Sequence, residues 1–269
     1  MTGTVFGCIT PHPPLIVPGI GNDADKKPVS STISALENLA GSLAMSRPDA
    51  VVIISPHSYY TETMNMTVSL SDAAEGSLHE WGTTVPGLQF ANDKALAQEI
   101  IDQSVERELL VKPIVQKHYN LDHGILVPLN FLSRAMKGLP LVPISFSYLP
   151  LQSHFAFGKA IQDAAQKLEK RVAVIASGDL SHYLKGSHYG FHPEGEVFEK
   201  QLAQALQGMD AGAVLDMDRE MVERSGECGL RSIVILLGAL DGLKVKTKIL
   251  SHEGPYGVGY MVASFSIKG

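Results

Sequence analysis

Val51-Val52-Ile53-Ile54-Ser55-Pro56-His57-Ser58 decides how this chain is read. Four consecutive β-branched residues suit a strand buried on both faces. Pro56 then fixes its own φ and pushes Ser55 toward extended geometry, so the turn that carries His57 is stiff. The same arrangement precedes it at the N-terminus, where Thr4 to Thr10 runs into Pro11-His12-Pro13-Pro14. It returns where Val172 to Ala176 runs into Ser177-Gly178-Asp179-Leu180-Ser181-His182. In open α/β sheets, ligands bind in the crevice outside the carboxyl ends of the strands. Three histidines at such ends place the chemistry of the chain there.

Further apolar runs at Met64 to Leu70, Leu141 to Ser147, Val245 to Leu250 and Val258 to Ile267 read as strands. Between them, Val29 to Met45, Asn92 to Val105, a segment capped by Ser153 and running to Lys170, Glu196 to Leu206, and Leu230 to Leu240 have helical periodicity. Strands that alternate with helices predict an α/β fold: a mainly parallel or mixed central sheet flanked by helices on both faces. With 269 residues and no compositional break, residues 1–269 are expected to form a single domain. If the first two strands are neighbours, as successive parallel strands often are, His12 and His57 converge above the sheet.

Composition narrows the function classes. A net charge of −6 supplies no basic stripe for nucleic acid. The longest apolar stretches fall far short of the roughly 20 residues a membrane span needs. No signal peptide is visible, and the two cysteines, Cys8 and Cys228, are too few for a disulfide framework. A cytoplasmic protein is expected, and a homodimer is the usual prior for its assembly. The least regular stretches are Gly19 to Pro28, Asp72 to Leu88 and Leu184 to Gly195, and the only tryptophan, Trp81, lies in the second. It would line an aromatic pocket or pack on the protein's own surface.

A catalytic divalent metal usually takes three protein ligands and leaves positions open. His12 and His57 are two candidates, against the alternative of stiff turns that merely contain a histidine. Glu227, in Ser225-Gly226-Glu227-Cys228-Gly229-Leu230, is the third. It stands at the entry to an apolar helix, where a carboxylate that only complements the helix dipole is the alternative. Two histidines and one carboxylate favour non-haem Fe(II) and oxygen chemistry. Cys228 is the competing ligand, and zinc or another divalent ion would also be accepted. His123, in Asp122-His123-Gly124, and His182 remain available for proton transfer. Asp179, His192, His252 and Tyr256 are candidates to line a substrate pocket, while His79, His118, His154 and His188 are read as solvent-facing.

Taken in order, Pro11-His12-Pro13, Ser55-Pro56-His57, Asp122-His123-Gly124, Ser177 to His182 and Gly226-Glu227-Cys228-Gly229 resemble the class III extradiol ring-cleavage dioxygenases. The resemblance is to the LigB-like catalytic-subunit superfamily, and within it to the Memo-like, AMMECR-linked branch. It implies an Fe(II) site at His12, His57 and Glu227, His182 as acid/base, and a second active-site role for His123. The implied partners are O2 and a catechol-like or aminophenol-like aromatic, with no nucleic acid or membrane. The Memo branch has a cysteine where ring-cleaving members have a glutamate, and this chain offers both at 227 and 228. Glu227 as ligand therefore implies oxygen chemistry, and Cys228 a Memo-like metal-binding or protein-binding module. A zinc-dependent hydrolase on the same residues is a further reading.

Overall fold

The computed structural model describes residues 2–268. In chain order the strands are β1 (Gly3–Thr10), β2 (Ala50–Ser55), β3 (Met66–Ser69), β4 (Ala73–Gly76), β5 (Leu88–Ala91), β6 (Val111–Ile114), β7 (His118–Asn120), β8 (Leu141–Ser145), β9 (Arg171–Ser177), β10 (Val245–Glu253) and β11 (Tyr260–Ile267). The helices are α1 (Asp23–Lys26), α2 (Ser30–Ser46), α3 (Lys94–Glu106), α4 (His123–Leu132), α5 (Leu151–Lys167), α6 (Pro193–Gly208), α7 (Ala211–Leu215), α8 (Arg219–Ser225) and α9 (Leu230–Ala239).

Eight strands form one sheet in the order β10-β11-β1-β9-β2-β8-β3-β6. At its centre β1, β9, β2 and β8 are mutually parallel. Antiparallel pairings add β11 and β10 on one side and β3 on the other. The sheet is therefore mixed, with the parallel part in the middle and helices over both faces, as the alternation of apolar runs and helical segments predicts. Side chains on a strand alternate between faces, and the core obeys this. Val52 and Ile54 meet Phe157 and Ile161 of α5 and Val234 of α9 on one face. Val51 and Ile53 meet Leu36 and Leu39 of α2 and Ile125 of α4 on the other.

One expectation is corrected by the strand order: β1 and β2 are not neighbours, because β9 lies between them. Their carboxyl ends still share an edge, since Thr10 aligns with Ser177 and Ile54 with Ala176. The segment expected to be a loop from Asp72 to Leu88 begins with β4, which joins β5 and β7 in a three-stranded sheet. Strands of three or four residues are too short to declare a period of two. Ser153 does not start α5; the helix begins at Leu151, directly after Pro150, whose fixed φ and missing N–H suit a helix entry.

Candidate metal centre

His12 follows β1 by two residues, His57 follows β2 by two, and Cys228 precedes α9 by two. These three side chains converge, with their ligand atoms all within 4.8 Å of one another. The Nε2 atoms of His12 and His57 are 3.0 Å apart, and Cys228 Sγ is 3.7 Å from His12 Nε2. Such separations suit donors that share an ion at the usual distances of about 2.0–2.1 Å for nitrogen and about 2.3 Å for sulfur.

Hydrogen bonding fixes the state of His12. Ser177 Oγ, at the end of β9, donates to the Gly124 carbonyl. It has then no proton left, so at 3.0 Å it accepts from His12 Nδ1–H. The lone pair of His12 is therefore on Nε2, facing His57 and Cys228. An outer partner that sets tautomer and ring angle in this way is a general feature of metal-bound histidines. Asp179 anchors the backbone of the same residue, accepting the His12 N–H at 2.8 Å. The His57 turn is held similarly: its N–H donates to Ser55 Oγ, and Ser55 Oγ–H donates to Asp122 Oδ1 at 2.6 Å.

Cys228 is tied to the third strand end. Its Sγ accepts from the Asp179 N–H at 3.3 Å, and its own N–H donates to the Asp179 carbonyl. The two segments touch backbone to backbone, and a Cβ on Gly178 would lie 2.1 Å from the Gly229 Cα. Only glycine permits that approach, and it brings the sulfur to the histidines.

Burial sets the electrostatics. It pushes His12 well below the ordinary imidazole range, and the charges of His123 and His182 add to the effect. His57 moves the same way, through partial burial first and then repulsion from His12, His123 and His182. Both rings are thus neutral donors near pH 7. Cys228 is pushed up, by burial and then by Asp179 and Glu227. The thiol must give up its proton to bind an ion, so binding releases a proton. Asp179 is raised to about 6 by burial, against the His12 N–H and the neighbouring histidine charges.

Most of the chain matches a family model described as the catalytic LigB subunit of aromatic ring-opening dioxygenase, over residues 7–263. The chain belongs to this family. Protein CA_C1420 of Clostridium acetobutylicum is 33% identical over 94% of the chain and 56% of its own length. A 2,3-dihydroxyphenylpropionate/2,3-dihydroxicinnamic acid 1,2-dioxygenase of Rhodococcus sp is 26% identical over 72% of the chain and 61% of its length. A MEMO1 family protein of Pyrococcus furiosus is 31% identical over 54% of the chain and 46% of its length. The chain thus spans only about half to three fifths of these relatives. The fold recurs in the crystal structure of an uncharacterized Escherichia coli K12 protein, with a TM-score of 0.65 at 18% identity, covering 97% of this chain and 99% of that one.

In this member of the LigB family, Glu227 does not stand with the two histidines. Its carboxylate accepts the Leu230 N–H at 2.5 Å and lies 3.7 Å from Arg231, so it closes the amino end of α9. Burial raises its pKa against the Leu230 N–H and the Arg231 charge. The two neighbouring side chains diverge: the carboxylate turns to α9 and the sulfur faces the histidines. Cys228, the competing candidate, is the one whose ligand atom lies with those of His12 and His57.

His123 opens α4 and stacks on His57, with ring centroids 4.5 Å apart. Trp81, 5.7 Å from His123, flanks the same ring. His123 also lines a cavity of about 590 Å³, whose far wall is the small sheet and the turn at Glu80. His182 Nδ1–H donates to the Gly226 carbonyl at 2.6 Å, leaving Nε2 as an acceptor. The remaining candidates have other contacts. Asp179 is buried behind His12. His192 stacks on Tyr183, and Tyr256 donates to the Asp25 carbonyl. His252 pairs with Glu199 at 2.6 Å beside a separate cavity of about 740 Å³. His154, expected at the surface, is fully buried. Sequence reasoning passed over Ser177 and Ser55, although each closes a strand just before a candidate loop and could have been noted for that.

Among the described residues no helix is long and apolar enough to cross a membrane.

Proposed function

We propose that the chain holds one transition-metal ion between His12, His57 and Cys228, the donor set of the Memo-like reading, and presents it to a small aromatic ligand in the cavity beside His123. The convergence of those three donor atoms within 4.8 Å carries the reading. Two neutral imidazoles and one thiolate carry a single negative charge, as two imidazoles and a carboxylate would. The softer sulfur favours zinc, copper or iron over magnesium or calcium. A bound ion would supply Lewis acidity, and iron or copper also a path for electrons. Ser177 keeps the His12 lone pair on Nε2, and Asp179 and Ser55 hold the two histidine turns at fixed angles.

Extradiol cleavage of a catechol-like or aminophenol-like aromatic by Fe(II) and O2 is the second reading. Two acid/base groups near the donors favour it: His123 stacked on His57, and His182 with a free Nε2. His182 would take a phenolic proton at Nε2, and His123 would hydrogen-bond the ligand. Each such contribution is typically about 10² to 10⁴ in rate.

The test is metal content after anaerobic loading with Fe(II), Zn(II) or Cu(II). One ion per chain, lost in both His12→Ala and Cys228→Ala, is expected. Full occupancy in both variants would sink the donor assignment. Oxygen uptake by the iron form with catechols then separates ring cleavage, which needs it, from binding or hydrolysis, which do not.

A further inference from the structure

The cavity beside His123 has a one-sided charge. Its acidic walls are two carboxylates, Glu75 on β4 and Glu80 in the turn after it. The polar remainder includes Tyr59, Gln89, Asn120 and His123, and no lysine or arginine is among the described residues that line it. Glu75 is held in place, accepting from Gln89 Nε2 at 2.9 Å with His118 Nδ1 3.0 Å away. Glu80 is exposed and has no hydrogen bond or ion pair among the described residues. Asp122, next in sequence to His123 but not lining the cavity, has a buried Oδ2 without a partner. At the end of the cavity away from His123 no side chain carries a fixed positive charge, and the Glu80 carboxylate is left to pair with a cation.

We infer that the ligand of this cavity is an aromatic with a cationic or neutral tail, an arylalkylamine in the favoured case, and that Glu75 and Glu80 select against carboxylate tails. The inference rests on the reading that this cavity holds the ligand. It sets the chain apart from its Rhodococcus relative, whose name gives a propionate and a cinnamic acid as substrates. The ring would lie toward His123 and the donor trio, and the tail toward β4 and Glu80. Partly exposed carboxylates act weakly and are screened by salt, so a preference of about fivefold for each is the expected scale.

Trp81, the only tryptophan in the chain and a neighbour of His123, reports binding without turnover. The zinc-loaded protein would be titrated with 4-(2-aminoethyl)catechol, 4-ethylcatechol and 3-(3,4-dihydroxyphenyl)propionate while tryptophan emission is followed. Dissociation constants should rise in that order. The spread should shrink about fivefold in Glu80→Gln, nearly vanish when Glu75→Gln is added, and narrow at 1 M salt in the unaltered protein. The salt series keeps the test valid if a variant folds poorly. Equal or tighter binding of the propionate overturns the charge preference and leaves the proposed function standing. If none of the three changes the emission while zinc stays bound, both this inference and the cavity's part in the proposed function fall, and only the metal site remains.

Discussion

The His12 and His57 Nε2 atoms stand 3.0 Å apart although a whole strand, β9, separates the strands that carry them. The last residue of that strand makes the approach productive, because Ser177 receives the His12 Nδ1–H and leaves Nε2 free. Replacing Ser177 with Ala removes this partner and leaves the Gly124 carbonyl without its donor. Loss of such an outer hydrogen bond typically costs about 10- to 100-fold in metal affinity. Chelator competition on Ser177→Ala should show a loss on that scale, with metal stoichiometry unchanged at saturation. Wild-type affinity would remove Ser177 from the site.

Glu227 and Cys228 are adjacent in sequence but meet different partners, and paired variants separate their proposed roles. Cys228→Ala should abolish stoichiometric metal binding with little change in melting temperature of the metal-free protein. Glu227→Ala should do the reverse, because it strips the Leu230 N–H and Arg231 of their buried acceptor. Losing a helix-end acceptor costs about 1 kcal/mol, or roughly 2–4 °C for a chain of this size. If the outcomes are exchanged, the carboxylate is the ligand after all.

How far the sequence could be read follows from which forces act locally. Val51 to Ile54 and Val172 to Ala176 announce buried strands because burial on both faces leaves no polar position, and a proline-held histidine marks the end of the first. Strand order was not legible, since it depends on how α5 and α9 pack across the sheet. For the same reason β9 lies unexpectedly between β1 and β2. The choice between Glu227 and Cys228 rests on a side-chain direction set by the Gly178–Gly229 contact, 49 residues from Asp179 to Cys228 along the chain. No local pattern encodes that. His154 was misplaced because one histidine amid the polar first turn of an amphipathic helix resembles a surface residue, yet its ring caps the end of the β8 loop from inside.

That glycine contact can be tested directly. In Gly178→Ala the new methyl would meet the Gly229 backbone at 2.1 Å, and no rotamer can relieve a clash with main chain. Overpacking of this kind costs typically about 1–3 kcal/mol, here at the joint that carries Cys228. Calorimetry should show a lower melting temperature, and metal occupancy should fall with it. Gly208→Ala, at the end of α6 with nothing within 4 Å, is the matched control. It should be neutral or stabilising by up to about 1 kcal/mol. A Gly178→Ala protein as stable as this control, with full metal, would show that the two segments can part freely.

His154 gives the fold a defined acid limit apart from the metal site. Its Nδ1–H donates to the Pro150 carbonyl at 3.0 Å, and its Nε2 lies 3.3 Å from the Ser147 N and 3.1 Å from the Ser147 carbonyl, so burial rather than hydrogen bonding favours the neutral ring. Burial pushes its pKa from 6.5 to about 4, with Arg231 adding to the shift and the carbonyl contacts opposing it. Between those values the unfolded chain binds a proton that the folded chain refuses, so stability falls as pH drops from 6.5 toward 4 and is complete above that window. At about 1.4 kcal/mol per pKa unit, the full loss is on the order of 3 kcal/mol. Urea unfolding of the metal-free protein at pH 7.5, 6 and 5 should show that decline. His154→Gln, which cannot take up the proton, should start less stable and decline less steeply. Parallel slopes for the two proteins would assign the acid sensitivity to other groups.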